Sequence, residues 1–296
     1  MKKKFISQYL LITFLGSLSS LSLPPLNFYI INFFTFSIFF GFLYKKLTKK
    51  IDRKTFFFYG WCFGFGYFLT NLYWITISLT FDKNFSFLIP IALVLIPSFL
   101  ALFYGLISLF FCIFNPKNIL SAFFSFSVFF GIIEFFRSIV LTGFPWNLIV
   151  YSFSKNLNFI SILSILGTYS LNLIVISFFT APAVYILRKS KKEIALCIFL
   201  ILLPIIFFAH GNFQKNLFLD EDLKKLPYSI RVVGSNIPLS RFYDNTQTEE
   251  VINELILISS PEKEKKIFFV WPEGIIPNIY QDELNSYSKI MNKYFN

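Results

Sequence analysis

The chain has 296 residues, 55% of them hydrophobic and 21% aromatic, with 15% charged and a formal net charge of +11. A soluble domain carries about 25% charged residues. Here the apolar residues gather into uncharged runs of roughly 20, the length that crosses a hydrocarbon core of about 30 Å. That pattern excludes an ordinary soluble protein, and it turns the positive charge away from nucleic acid, because Lys and Arg sit between the apolar runs, where membrane orientation places them.

In chain order, Met1-Lys2-Lys3-Lys4 opens an apolar stretch that reaches Leu23 and meets Pro24-Pro25 without a small-x-small cleavage site, so it reads as a retained first span rather than a cleaved signal peptide. Spans are expected at 5–23, 27–44, 56–79, 87–114, 119–141, 158–187 and 193–210, of which 27–44 and 193–210 are near the short limit. The 87–114 run contains Pro90 and Pro97, which free backbone groups that neighbouring helices or water must satisfy. Basic residues fall in every second loop. Lys2, Lys3 and Lys4 precede the first span, and Lys45, Lys46, Lys49, Lys50, Arg53 and Lys54 fill the second loop; Lys117 marks the fourth, and Arg188, Lys189, Lys191 and Lys192 the sixth. The alternate loops hold Lys83 and Lys155. With seven spans this bias predicts a cytoplasmic N-terminus and an extracytoplasmic segment after about residue 211.

Cys62, Cys112 and Cys197 all lie inside apolar runs, with neither CxxC nor metal-ligand spacing, so no disulfide, metal or cofactor is expected. His210, the single histidine, ends an apolar run and does not point to histidine catalysis. Glu134 and Arg137 share a helix face at i, i+3 within the fifth run. Charges at membrane depth are costly and usually paired. Two readings stay open: an ion pair that holds the bundle together, or a headgroup or substrate contact near the outer end of that span. Tyr73, Trp74 and the Thr142–Trp146 stretch fall at the outer interface, where aromatic anchors are common.

From Gly211 charged residues appear at normal density, which divides the chain into a bundle over 1–210 and a polar domain over 211–296. Ser229 to Asn236 reads as a strand running into a Gly/Asn/Pro turn. Thr246 and Glu249 form a capping box for a helix over 246–259 whose apolar face is Val251, Ile252, Leu255, Ile256 and Ile258. Lys266 to Trp271 reads as a strand buried on both faces, and another helix starts near Gln281. The order strand, helix, strand, helix is the start of an α/β domain. Roughly 85 residues with two strands do not close the core of such a sheet, so the domain is expected to be incomplete, or to lean on a partner.

The sharpest local signal is Trp271-Pro272-Glu273-Gly274-Ile275-Ile276-Pro277, directly after the second strand. Open α/β sheets carry ligand chemistry at the carboxyl ends of their strands. A carboxylate set between Trp271 and an apolar strand would be partly desolvated, which favours a general base. A turn glutamate with no such role is the alternative.

This W-P-E…P element resembles the glutamate motif of the nitrilase superfamily, in the form found in bacterial apolipoprotein N-acyltransferases. Arg231-Val232-Val233-Gly234-Ser235-Asn236-Ile237-Pro238 is similar to that family's first nitrilase strand and turn, with Ser235 where Gly is common. Gly64-Phe65-Gly66-Tyr67-Phe68 through Tyr73-Trp74 resembles its Gly-rich third span, and Glu134-Phe135-Phe136-Arg137 followed by Thr142-Gly143-Phe144-Pro145-Trp146 resembles its E-x-x-R…T-G-F-P-W segment. The resemblance implies an inner-membrane helical bundle followed by the start of an αββα nitrilase-like domain in the periplasm. It implies a Glu–Lys–Cys triad that takes an acyl chain from a phospholipid and passes it to the diacylated N-terminal cysteine of a lipoprotein. Glu273 is then the base, and Trp271, Tyr73, Trp74, Trp146, Glu134 and Arg137 are candidate substrate contacts. The triad's Lys and Cys have no counterpart: no cysteine follows Cys197, and Lys289 and Lys293 lie too close to Glu273. A truncated chain, inactive alone, is therefore expected. The competing readings are a transporter, which the lack of paired broken spans disfavours, and a membrane anchor that presents its tail to a partner.

Overall fold

The apolar runs become long helices in the computed structural model, which describes residues 2–49, 51–220, 227–234, 248–262, 266–276 and 279–295. The chain is mostly helical with little sheet and divides into two compact units, Met1–Asp220 and Glu221–Asn296.

The first unit contains α1 (Lys2–Ser20), α2 (Ile31–Leu47), α3 (Arg53–Leu72), α4 (Ile89–Phe114), α5 (Ile119–Ile139), the one-turn helices α6 (Leu157–Ile160) and α7 (Leu163–Leu166), α8 (Thr168–Ile186) and α9 (Lys191–Asp220). Polar caps set two of the starts. The Asp52 carboxylate accepts from the Thr55 amide at 2.8 Å, and the Asn118 carbonyl oxygen accepts from the Ser121 amide at 2.8 Å. Among the described residues four stretches are long and apolar enough to cross a membrane: Lys83–Phe114, Ile119–Ile139, Thr168–Ile186 and Lys191–Leu219. The remaining long helices are shorter or more polar. α2 has 17 residues and carries Lys45 and Lys46 in its last turn, while α1 and α3 dilute their apolar runs with Ser, Thr, Gln and Asn.

Helix bounds depart from the expected spans at three places. The 158–187 run breaks at Gly167, whose φ of 74° lies outside the helical region, so the long helix starts only at Thr168. The third helix ends at Leu72, and Tyr73–Thr80 continues as a 3-10 helix. The last helix runs on through Gly211 to Asp220.

Two glycines explain why α3 lies between α1 and α4. A Cβ on Gly60 would stand 2.1 Å from the Tyr104 carbonyl oxygen of α4, and one on Gly66 would stand 2.0 Å from the Thr13 carbonyl oxygen of α1. Small residues let backbones approach where no hydrophobic force separates helix from lipid. The core itself is aromatic. Phe63 of α3 stacks on Phe39 of α2 with centroids 4.3 Å apart, and Phe126 of α5 meets Phe40 of α2 and Phe111 of α4. Such offset and edge contacts add stability beyond area burial. Outward faces are apolar as well: Leu95 and Phe99 on α4, and Ile198, Phe199, Ile201 and Leu202 on α9, are exposed. A face of that kind suits lipid rather than water.

In the second unit β1 (Ser229–Val232) pairs parallel with β2 (Ile267–Val270), with α10 (Thr248–Ser259) between them in sequence and α11 (Ser288–Phe295) after. α10 buries Val251, Ile252, Leu255 and Ile256 as expected, whereas Ile258, in its last turn, is exposed. β2 was expected to be buried on both faces, but its exposure alternates. Phe268 and Val270 face outward beside Ile230 and Val232, and Phe269 turns inward to meet Phe295 at 4.9 Å. A two-stranded sheet covered on one side leaves every second residue open. The turn expected at Ser235 to Pro238, the Thr246 cap and Pro277 lie outside the described residues.

Candidate functional site

The C-terminal end of α5 is organised by Glu134 and Arg137. Each is about 1% exposed, one turn apart on α5. Arg137 Nε donates to Glu134 Oε2 at 2.8 Å, and Nη2 donates to the same oxygen. Nη1 reaches the Phe144 carbonyl oxygen at 2.6 Å, while the Phe144 amide returns a bond to the Arg137 carbonyl at 3.0 Å. The guanidinium lies over the Phe68 ring, 5.3 Å from its centroid. One side chain thus neutralises a buried acid and clamps the segment that leaves α5. That segment needs its glycine: Gly143 has φ 80°, and a Cβ there would stand 2.0 Å from the Ser138 carbonyl oxygen.

The clamp positions aromatic residues. Tyr67 on α3 donates to the Asn147 carbonyl oxygen at 2.8 Å, and Trp146 stacks on Trp74 with centroids 5.4 Å apart. Of the residues singled out in the sequence, Arg137, Glu134, Trp146 and Trp74 are therefore linked through residues 143–147. Tyr73 sits beside Trp74 in sequence and is 62% exposed.

Toward the bundle interior, Glu134 Oε1, the Tyr104 hydroxyl, Ser108 Oγ, Asn71 Nδ2 and Asn147 Oδ1 are buried without a protein hydrogen-bond partner. The Tyr104 hydroxyl faces the Glu134 carboxylate. Buried polar atoms of this kind are places for ordered water or a polar ligand group. Tyr104 with Ser108, and Tyr67 with Asn71, stand at i, i+4 on α4 and α3, a spacing visible in the sequence but hidden among 15 tyrosines and 44 phenylalanines. Beside this cluster lies a cavity of about 480 Å³ between α4 and the segment after α5, walled by Phe99, Leu100, Phe103, Leu141 and Phe144, with Arg137 as its one charged wall residue.

In the second unit Trp271 directly follows β2, and its indole N–H donates to Ser259 Oγ at 2.9 Å. Arg231 of β1 closes the C-terminus of α10, donating to the Ser259 and Ser260 carbonyl oxygens and pairing with Glu262 at 2.8 Å. Glu273 follows two residues after Trp271, at the carboxyl end of β2, in a turn where Gly274 has φ 65°. The partial burial expected for Glu273 is not found; the residue is exposed. The three cysteines all stand in the first unit, on α3, α4 and α9.

Comparison with known proteins adds a second line of observation. The family described as the apolipoprotein N-acyltransferase N-terminal domain matches residues 15–181, which takes in Trp74, Glu134, Arg137 and Trp146. Among curated proteins, the chain is 30% identical over 288 residues to the apolipoprotein N-acyltransferase of Allorhizobium ampelinum, covering 93% of this chain and 53% of that protein. It is 28% identical over 281 residues to the Brucella melitensis protein of the same name, covering 90% and 51%. The Rhizobium etli protein of that name is 30% identical over 292 residues, covering 93% and 53%. The chain spans about half the length of the curated relatives it matches.

Proposed function

Because the chain belongs to the apolipoprotein N-acyltransferase family, we propose that it takes part in moving an acyl chain from a phospholipid to the diacylated N-terminal cysteine of a lipoprotein. The observation that carries this reading is the match itself, which runs through the whole Glu134–Trp146 element. On this reading the first unit is a seven-span bundle in the inner membrane, with its N-terminus cytoplasmic, and the second unit is the start of a periplasmic nitrilase-like domain. The parallel β–α–β arrangement of β1, α10 and β2 is consistent with that start.

Glu273 is the general base. Its place at the carboxyl end of β2 is where open α/β sheets carry chemistry. In the reaction the base removes the proton of a cysteine thiol, since the thiolate is the competent nucleophile. The thiolate attacks the ester carbonyl of the phospholipid, the C–O bond breaks, and a lysophospholipid leaves as the thioester forms. The lipoprotein's α-amine then attacks the thioester, forming the amide and releasing the thiol. A nearby lysine would stabilise the oxyanion of each step. Arg137 acts as a positioning residue, holding residues 143–147 so that Trp146 and Trp74 present an aromatic face at the outer interface. The cavity beside Arg137, apolar but for that guanidinium, suits an acyl chain of the donor. Trp271 fixes the strand end that carries Glu273.

Residues 1–296 place no cysteine after Glu273, so the thiol is the part of the reaction that this stretch of chain does not supply. The 296-residue polypeptide, reconstituted alone with acyl-labelled phospholipid and a diacylated lipopeptide, is expected to transfer no label. Co-expression with a polypeptide carrying a nitrilase-type Lys and Cys is expected to restore transfer, and Glu273→Gln to abolish the restored activity. Transfer by the chain alone, or restored activity indifferent to Glu273→Gln, would overturn the assignment.

A further inference from the structure

α2 and α8 run parallel and leave between them a groove of about 340 Å³ near their C-terminal ends. Its walls include Ile38, Gly41 and Phe42 of α2 with Ile186 and Leu187 at the end of α8, and Lys45 stands at its charged end. Ser37, the other polar wall residue, already donates its hydroxyl to the Phe179 carbonyl oxygen at 3.0 Å. The Lys45 side chain is exposed, and among the described residues it forms no ion pair. Arg188 and Lys189 follow directly on α8, both exposed. The carboxylates of this end are engaged: Asp52 caps α3, and Glu193 accepts from the Ser190 amide at 2.8 Å and from its hydroxyl.

Gly41 points to a reason for the groove. Glycine in mid-helix is unfavourable and is usually kept for close packing. Here a Cβ would meet only Leu187 Cδ1 at 3.8 Å, an ordinary contact, in contrast to the 2.1 Å and 2.0 Å collisions at Gly60 and Gly66. Helix packing does not require this glycine, and its absent side chain keeps the groove open.

We infer that the α2–α8 groove is a binding site for an anionic phospholipid, one acyl chain lying along Gly41 and the headgroup phosphate resting on Lys45. Basic residues flanking apolar clefts at a membrane surface select anionic headgroups. A second copy of this chain is disfavoured as occupant, because pairing through this face would set Lys45 and Arg188 of one copy against those of the other. The inference depends on the membrane reading of the bundle and is independent of acyl transfer.

Native mass spectrometry of the purified, delipidated chain, offered equal phosphatidylglycerol and phosphatidylethanolamine, tests it. Phosphatidylglycerol should be retained about fivefold over phosphatidylethanolamine. Lys45→Gln should remove that preference, Gly41→Phe should lower retention of the bound lipid, and Lys83→Gln at the opposite end should change neither. Equal retention of the two lipids by the unaltered chain, a preference unchanged in Lys45→Gln, or a dimer that Gly41→Phe dissociates would each overturn the site. Lys45 is exposed, so its variant reports even where Gly41→Phe fails to fold.

Discussion

Removing the Glu134 carboxylate would leave the Arg137 guanidinium buried with no counter-charge, because its other polar contact is the neutral carbonyl of Phe144. Breaking a buried pair from one side typically costs about 3–5 kcal/mol, whereas replacing both partners with apolar residues of similar volume is often neutral. Glu134→Ala is therefore expected to lower thermal stability strongly in detergent, and the double variant Glu134→Leu/Arg137→Met to recover much of the loss. A double variant as unstable as the single one would mean that the clamp on Phe144 matters more than the ion pair. The i, i+3 spacing made this pair legible in the sequence, and the structure forms it as a buried ion pair. The clamp's partners were not legible. Phe144 takes part through its backbone carbonyl, and Tyr104 is a hydroxyl among many rings, so neither carries a composition signal.

Helices register the sequence less evenly than residues do. Long apolar runs specified where α4 and α5 lie, because such a run leaves few alternatives at membrane depth. The 158–187 run did not reveal its break, since hydropathy averages over the one glycine whose φ interrupts the helix. β2 misled in the other direction: four apolar residues in a row look the same whether a sheet is covered on both faces or on one. Caps were more local and their effect is testable. The Asp52 carboxyl is held below its ordinary value of 3.8, first by its side-chain hydrogen bond with Thr55 and then by the Thr55 amide. A lowered folded value means the cap contributes fully above the ordinary carboxyl range and is lost as pH falls through the lowered value. The stability of the first unit should therefore drop on acidification partly through Asp52. Asp52→Asn, which still accepts the amide bond, should flatten that part of the profile when thermal unfolding is followed from neutral pH to about pH 3. An Asn variant with the same acid sensitivity as the unaltered chain would assign the loss to other carboxylates.

At the scale of the whole molecule the decisive quantity is the number of crossings between the first lysines and Asp220. The four stretches that meet length and apolarity on their own make an even count, which would return the chain to its starting side. α1, α2 and α3 argue for three more. Gly66 of α3 abuts Thr13 of α1, Gly60 of α3 abuts Tyr104 of α4, and Phe63 of α3 stacks on Phe39 of α2, so all three helices share the aromatic core with α4 and α5 and with it their depth. Several of their polar residues find partners inside the bundle. Ser17 of α1 donates to the Gly66 carbonyl oxygen at 3.2 Å, and Lys46 at the end of α2 meets Gln8 of α1 at 2.7 Å. Charge agrees with the odd count, since the basic loops precede α1 and α3 and follow α2, α4 and α8, which places them all at one end of the bundle. Alkaline phosphatase fused after Asp220 is accordingly expected to be active, and the same reporter fused in the short 115–118 loop to be inactive. If the fusion after Asp220 were inactive and a cytosolic reporter there were active, the second unit would lie on the side where lipoprotein N-termini are not displayed, and the acyl-transfer reading of Glu273 would fall with it.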